Sequence, residues 1–208
     1  MKIGIVGAGN VGRFYGERWV GRGHAVAFSY ARDVGRLEAF VAGLGPSASV
    51  LEVEDVAAYS DVVVFSPPFE QIEHAAARMG GATGKVLIDT TNPFNPERTG
   101  LVELGTATSA GIVAGLFPGA LVVKALHNLS LAQAGDATGR GPAVMFLAGE
   151  HNGAKETAAR LIVDAGFAPF DTGALSAAKL SEAPGPLFMN VYGVTEVAEA
   201  VAHATAHR

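Results

Sequence analysis

The sequence has no cysteine among its 208 residues. Disulfide scaffolds, thiol nucleophiles and cysteine-bound metals are therefore excluded, and such a composition is typical of a reducing cytoplasm. The chain also lacks the basic and apolar regions of a signal peptide, because a strand-like run begins at Lys2. We therefore expect a cytoplasmic location.

Motifs for metal binding and for covalent catalysis are also missing. The sequence has no His-Glu-x-x-His run, no acidic calcium loop and no G-x-S-x-G nucleophile elbow. We therefore expect no metal and no covalent intermediate. Hydride transfer needs neither, because a cofactor carries that chemistry and the protein positions two rings.

Basic residues are too few for a nucleic-acid-binding surface, since the net charge is −5. The charge is unevenly spread, however, and residues 1–36 carry six basic side chains against Glu17 and Asp33. An acidic chain with one cationic end suits a small polyanionic ligand. We expect no nucleic-acid partner.

Long uncharged runs are rare, and Leu104–Val123 is about long enough to cross a bilayer. It also contains Gly111 and Gly115, at the spacing of packed transmembrane helices. Pro118-Gly119 interrupts it, however, so we favour a helix, a turn and a buried strand over a membrane span.

Short apolar runs alternate with segments of helical period along most of the chain. The predicted strands are Lys2–Val6, Ala25–Ser29, Ser49–Leu51, Asp61–Ser66, Lys85–Asp89, Leu121–Ala125, Ala143–Ala148 and Phe167–Asp171. The predicted helices are Val11–Val20, Val34–Gly43, Val53–Tyr59, Glu70–Met79, Ala107–Leu116, Asn152–Ala165 and a last one from Pro186 to about His203. This alternation predicts an α/β fold with a doubly wound, mostly parallel sheet. We expect a mobile loop at Ala132–Gly141.

A glycine-rich turn follows the first predicted strand. Gly7-Ala8-Gly9-Asn10-Val11-Gly12 matches G-x-G-x-x-G and opens a helix, which is the context of a dinucleotide-binding (Rossmann-like) loop. Gly7 permits the tight turn, Gly9 lets a diphosphate approach the backbone, and Gly12 lets the helix pack on the strand. The helix N-terminus then offers unpaired N–H groups to the diphosphate.

The end of the second strand indicates which dinucleotide is bound. It ends in Ser29 and Tyr30, not in the acidic residue that binds the ribose 2′-hydroxyl of NAD. Arg32 and Arg36 could hold a 2′-phosphate, with Ser29 and Tyr30 offering hydroxyls to it, while Asp33 is placed to cap the next helix. We therefore predict that the chain binds NADP. The alternative is that both arginines are solvent-exposed residues of a helix face without a ligand.

The later strands place polar residues at the edge where ligands bind in parallel sheets. Ser66, Pro67 and Pro68 would pass beside the ribose and diphosphate, and Asn92 would lie near the nicotinamide. His127 is the sharpest titratable candidate for catalysis, although a structural or orienting role remains the alternative.

Four segments resemble the NADP oxidoreductases that use the deazaflavin coenzyme F-420. They are "MKIGIVGAGNVG", "IDTTNP", "VVKALHNL" and "GFAPFDTGALSAAKLSEAPGPLFMN". The cytoplasmic domains of mammalian metalloreductases are similar to the same family. The resemblance covers nearly the whole chain, and the later motifs are more specific than the glycine loop.

This resemblance implies an NADP-binding Rossmann-like domain at residues 1–171, a small C-terminal helical extension at 172–208, a homodimer, and hydride transfer between NADPH C4 and deazaflavin C5. It assigns Gly7, Gly9, Asn10 and Gly12 to the diphosphate and Arg32 to the 2′-phosphate. The substrate side is then expected to comprise Pro93, His127, Asn128, Leu129 and Met189. Tyr30-Ala31 departs from the Ser-Arg or Asn-Arg pair that is usual in this family.

Three functions are therefore open. The first is hydride transfer between NADPH and a deazaflavin or another flavin-type acceptor. Only about 60 residues follow the seventh strand, so the substrate site should be shallow and open, which suits a flat redox cofactor. The second is NADPH-dependent reduction of a small carbonyl or imine, with Leu187, Phe188, Met189 and Tyr192 closing the pocket. The third is a non-catalytic NADP sensor.

Overall fold

Eight strands form one sheet in the computed structural model, which describes residues 1–135 and 141–206. The strands are β1 Lys2–Val6, β2 Ala25–Ser29, β3 Ala48–Val50, β4 Val62–Phe65, β5 Val86–Asp89, β6 Leu121–Ala125, β7 Val144–Gly149 and β8 Ala168–Asp171. Their order across the sheet is β3-β2-β1-β4-β5-β6-β7-β8. The predicted doubly wound α/β fold is confirmed.

The sheet changes direction at β7. Strands β1 to β6 are parallel, whereas β7 is antiparallel to β6 and β8 is parallel to β7. The central strands are buried on both faces, which explains why they are apolar throughout. The prediction of a mostly parallel sheet is confirmed.

Helices cover both faces of this sheet. They are α1 Asn10–Gly21, α2 Val34–Leu44, α3 Val56–Tyr59, α4 Ile72–Met79, α5 Ser109–Leu116, α6 Leu131–Gly135, α7 Asn152–Asp164 and α8 Val197–Ala206. Helix α1 packs against α7, where the Trp19 indole donates a hydrogen bond to the Leu161 carbonyl at 2.8 Å. Phe65 and Phe117 pack edge to face on the opposite side of the sheet.

The predicted last helix is present, but the prediction that it begins at Pro186 is wrong. Residues 186–196 form turns, and α8 begins only at Val197. Pro184 and Pro186 have no N–H to donate, and nearby amides have partners elsewhere: Leu187 N donates to the Leu180 carbonyl and Met189 N to the Asn128 carbonyl, both at 2.8 Å. This irregular stretch consequently lies against the end of β6.

The expected mobile loop follows β6 along the chain, and the uncharged run 104–123 ends within that strand. The expected mobile loop begins inside α6, and its residues 136–140 lie outside the described residues. The uncharged run 104–123 is divided into α5, a turn with Gly119 at φ 80°, and the start of β6, as predicted. Within the described part of the chain, every helix is too short or too polar to span a bilayer.

Candidate functional site

The glycine loop joins β1 to α1 at the carboxyl edge of the sheet. Gly7 has φ +108°, and a Cβ there would overlap the Ser66–Pro67 backbone, so only glycine fits this turn. The amides of Gly7 and Ala8 donate to the Ser29 carbonyl at 3.1 and 3.0 Å. The loop is thereby fixed between the ends of β2 and β4.

The N-terminus of α1 is left open. Gly9 is the N-cap and has no capping side chain, so the first-turn amides, including those of Asn10, Val11 and Gly12, have no partner within the helix. A Cβ on Gly9 would meet nothing within 4 Å, whereas one on Gly12 would overlap the Gly7 carbonyl. This space, together with the positive end of the helix dipole, fits a diphosphate.

The end of β2 carries the proposed 2′-phosphate residues. Arg32 and Arg36 are both exposed, and neither side chain forms an ion pair within residues 1–135 and 141–206. Asp33 caps α2 by accepting from Arg36 N at 2.9 Å, which confirms the predicted capping role. Two unpaired guanidinium groups are thus available near the adenosine end of the site.

Ser29 and Tyr30 differ from expectation in detail. Ser29 is 1% exposed and its hydroxyl donates to the Ile5 carbonyl at 2.8 Å, so the prediction that this hydroxyl faces a ligand is wrong. Tyr30 has φ 56°, and its hydroxyl lies 3.2 Å from Gln71 Oε1 and 2.8 Å from His74 Nδ1. Tyr30 therefore joins the end of β2 to the region of α4.

A cleft of about 110 Å³ lies between the start of α1 and the ends of β4 and β5. Several predicted residues line it: Val11, Ser66, Pro67, Pro68 and Asn92. The lining also includes residues that were not among the predicted site residues, and three of these, Phe94, Asn95 and Arg98, belong to the loop after β5. Pro93, between Asn92 and Phe94, is buried.

The side chain of Asn92 connects this cleft to the C-terminal segment. Its Nδ2 donates to the His127 carbonyl at 2.9 Å, and its Oδ1 accepts from Ala183 N at 2.9 Å. The predicted amide of Asn92 therefore lies at the cleft, but both of its polar atoms are already hydrogen-bonded to backbone groups.

His127 is enclosed by the same segment. It is 4% exposed, its Nε2 lies 3.0 Å from the Ser181 hydroxyl, and its Nδ1 has no hydrogen-bond partner among the described residues. Burial, and secondly the charge of Lys124, hold the pKa of His127 well below its usual value. A neutral imidazole lacks the extra proton of an acid catalyst.

The remaining predicted substrate residues have different surroundings. Asn128 is fully buried, with its amide bonded to the backbone of Val144 (3.3 Å) and Phe146 (3.2 Å), and Leu129 packs in the core. The structure therefore does not bring these two side chains to the cleft surface, because β7 takes up the amide. Met189 is 42% exposed and follows Phe188, whose ring centroid is 6.2 Å from that of Phe94.

A buried ionic network lies behind the cleft. Lys124 is fully buried, and its ammonium lies 2.9 Å from Asp89 Oδ2 and from Ser109 Oγ. Glu182 accepts from Ser109 N (3.0 Å), Ser109 Oγ (2.6 Å) and Ala110 N (3.2 Å) at the start of α5. A lysine inside the apolar run "LVVKAL" was the sequence signal for this network.

Known proteins resemble this chain along most of its length. A model of the family described as "NADP oxidoreductase coenzyme F420-dependent" matches residues 2–93. Metalloreductase STEAP3 of Rattus norvegicus is 32% identical over 185 residues, which are 88% of this chain. The chain spans only 36% of that relative's length.

Solved structures give the same likeness. A hypothetical protein, SMa0349, from Sinorhizobium meliloti is 30% identical with a TM-score of 0.82, over 92% of this chain and 95% of that one. A putative F420-dependent NADP-reductase from Arthrobacter sp. fb24 is 25% identical with a TM-score of 0.74, over 86% and 87% of the two chains. A reductive aminase from Aspergillus terreus, at 17% identity and a TM-score of 0.62, shares the fold over 85% of this chain and 56% of its own.

Proposed function

We propose that the chain belongs to the family of coenzyme F420-dependent NADP oxidoreductases, whose model matches residues 2–93, and that it transfers a hydride between NADPH and a deazaflavin (coenzyme F-420) or another flavin-type acceptor. The observation that carries this proposal is the cleft at the carboxyl edge. A bare glycine loop lies at one side of it, and an open aromatic side formed by Phe94 and Phe188 lies at the other.

The residues of the nucleotide side have defined tasks in this proposal. The first-turn amides of α1 bind the diphosphate, and Gly9 leaves room for it. Arg32 and Arg36 bind the 2′-phosphate, for which the end of β2 offers no competing carboxylate except the capping Asp33. NADPH is therefore preferred over NADH.

The acceptor side positions a flat ring. The nicotinamide, when bound, would supply a hydride from its C4, and the acceptor ring would take up the accompanying proton from solvent at this open side. The protein therefore has to align two rings and exclude competing reactions. Phe94, Phe188 and the exposed Met189 offer apolar surface for such a ring, and His127 supports the segment above it through Ser181. No helical domain encloses this side within the described residues, which suits a large planar acceptor more than a small one.

An acceptor panel tests the proposal. Purified protein is mixed with NADPH or NADH and then with coenzyme F-420, FMN, FAD, a ferric chelate or a cyclic imine. We expect rapid bleaching of the deazaflavin or of a flavin with NADPH. Turnover of the imine alone would transfer the function to a small-substrate reductase, and tight NADPH binding without any turnover would indicate a sensor.

One comparison supports a ferric chelate as a test acceptor, because a relative named as a metalloreductase is 32% identical over 88% of this chain. If a flavin mediates metal reduction here, NADPH should reduce the ferric chelate only when a flavin is added. Equal reduction without flavin would contradict that version of the proposal.

A further inference from the structure

Arg98 has no assigned task in the function proposed above. It lines the cleft, it is exposed, and its side chain forms no hydrogen bond or ion pair with any residue in the described ranges. Glu70 is the other charged residue lining this cleft, and it belongs to the segment after β4 rather than to the loop after β5. The cleft therefore has an unpaired cation on the β5 side.

The loop that carries Arg98 is well fixed. Asn95 Oδ1 accepts from Thr99 N at 2.9 Å and Gly100 N at 3.2 Å, Arg98 N donates to the Asn95 carbonyl at 2.9 Å, and Phe94 pairs with Leu101 as an isolated bridge. These hydrogen bonds fix the backbone of Arg98 at the cleft.

The backbone of Arg98 is unfavourable for arginine. Its φ is 56°, in the left-handed region that residues other than glycine, asparagine and aspartate rarely adopt. Asparagine, aspartate or glycine would suit this loop better, so folding does not explain the arginine. Such a residue at the surface of a cleft points to a functional use of its side chain.

The nucleotide does not need this cation. In the proposed function its 2′-phosphate is bound by Arg32 and Arg36 at the end of β2, which is three strand spacings from β5, or about 14 Å at about 4.8 Å per spacing. Its diphosphate is bound by the first-turn amides of α1, on the side of the cleft across from the loop after β5. The nicotinamide at the β5 end carries no anionic group. The anion that Arg98 would pair with therefore belongs to the second substrate.

We infer that Arg98 forms an anion subsite that binds a phosphate on the side chain of the acceptor while the acceptor ring lies near Phe94 and Phe188. This inference rests on the proposed function and extends it. A guanidinium binds phosphate oxygens through paired N–H groups, which gives direction as well as charge. The subsite selects phosphorylated flavin-type acceptors over their dephosphorylated forms.

The test compares FMN with riboflavin, which differ only in the 5′-phosphate. Their dissociation constants are measured by quenching of flavin fluorescence in wild-type protein, Arg98→Asn and Arg98→Asp, each saturated with NADP⁺. Both replacements fit a left-handed backbone. We expect FMN to bind about tenfold more weakly to Arg98→Asn and more weakly still to Arg98→Asp. The affinity for riboflavin should not change.

Ionic strength and a matched variant sharpen the test. FMN binding to wild-type protein should weaken with salt, while binding to Arg98→Asn should be nearly insensitive. Arg160→Asn, on α7 and outside the cleft lining, makes the same charge change and should leave FMN affinity unaltered. The melting temperature of Arg98→Asn should equal or exceed that of wild type.

The same comparison is made with coenzyme F-420 and its deazaflavin core without the phosphate-linked tail. If wild-type protein shows no preference for the phosphorylated member of either pair, or binds neither pair, the inference is overturned. It is also overturned if Arg98→Asn weakens NADPH binding instead. Failure of the proposed function looks different: Arg98-dependent FMN binding would persist, but no hydride would pass from NADPH to any flavin.

Discussion

Gly9 is the residue at which the needs of the ligand and of the fold differ most. It is the N-cap of α1 with an extended backbone (φ −78°, ψ −163°), and there is open space where its Cβ would be. Serine is a good N-cap in such a conformation. We expect Gly9→Ser to keep or raise the melting temperature but to weaken NADPH binding at least about tenfold, because the side chain enters the diphosphate space.

Gly12→Ala is the matched control for that variant. Its Cβ would overlap the Gly7 carbonyl, so this replacement should lower the melting temperature. Calorimetric titration with NADPH and thermal melts of both variants check the contrast. Unimpaired NADPH binding by folded Gly9→Ser would contradict the assignment of the glycine loop.

Arg32 is expected to determine the choice between NADPH and NADH. Two like charges about 4 Å apart repel by about 4 kcal/mol at an effective dielectric constant of 20, and exposure reduces this value. Arg32→Glu should therefore weaken NADPH binding by at least about tenfold and leave NADH binding largely unchanged. The ratio of the two dissociation constants is the measurement, and Arg22→Glu, at the end of α1, is the control. An unaltered ratio in Arg32→Glu would remove Arg32 from the 2′-phosphate site.

His127 should make the stability of the protein pH-dependent in one direction. In the folded chain its pKa is well below the usual value of 6.5. Below about pH 6.5 the imidazole is therefore protonated in the unfolded chain but stays neutral in the folded chain. The free energy of unfolding then falls by up to about 1.4 kcal/mol per pH unit as the pH decreases. Above this window the contribution is constant.

Urea denaturation of wild-type protein and His127→Gln between pH 5 and pH 8, a range of about three units around the usual pKa, measures this effect. The difference between the two proteins should change as the pH falls and stay constant at the upper end. A constant difference over the whole range would show that His127 titrates normally in the folded state.

At the scale of elements, the buried network joins β5, β6, α5 and the C-terminal segment. Removing one partner from a buried ion pair leaves a charge without compensation, which typically costs about 3–5 kcal/mol. We therefore expect Lys124→Met to lose about that much stability, because Asp89 and Glu182 remain buried.

Lys155→Met provides the comparison for Lys124→Met. Lys155 lies 2.8 Å from Asp171, but the Asp171 side chain is 47% exposed, so this replacement should cost about 1 kcal/mol or less. Chemical denaturation of the two variants is the measurement. Equal losses of stability in the two variants would show that burial of the network does not raise the cost of removing its lysine.

The elements were predictable where the local pattern decides them. The alternation of apolar runs located all eight strands, and Asp33 marked the start of α2. The direction of β7 could not be predicted, because the run "AVMFLAG" is equally apolar read either way. The start of α8 was also missed, because the amides of Leu187 and Met189 find partners far away in the sequence.

The site was predictable for backbone-driven features and less so for side chains. The role of Gly7 follows from a turn that the sequence encodes locally. The amides of Asn92 and Asn128 were correctly placed at strand ends, yet their partners are Ala183 and β7, which are distant in sequence. Local reasoning therefore finds the edge of the sheet but not which groups there remain free.

At the scale of the whole molecule, the C-terminal segment leaves three large apolar side chains at the surface. Met189, Val191 and Val194 are 42%, 38% and 60% exposed. Met189 is assigned to the acceptor side above, and we predict that Val191 and Val194 contribute to a homodimer interface. Sedimentation velocity should give a dimer for wild-type protein and a shift towards monomer for Val194→Asp, with Val163→Asp on α7 as the control. A monomeric wild type would contradict the prediction.

The reversal of β7 also has a consequence for altering the enzyme. Since β6 and β7 are antiparallel, β6 ends and β7 begins at the carboxyl edge of the sheet, where the glycine loop also lies. A peptide inserted directly after Ser130 would therefore enter at this edge, and no strand would be displaced. Directed evolution of acceptor choice would therefore do best to vary the connection between β6 and β7.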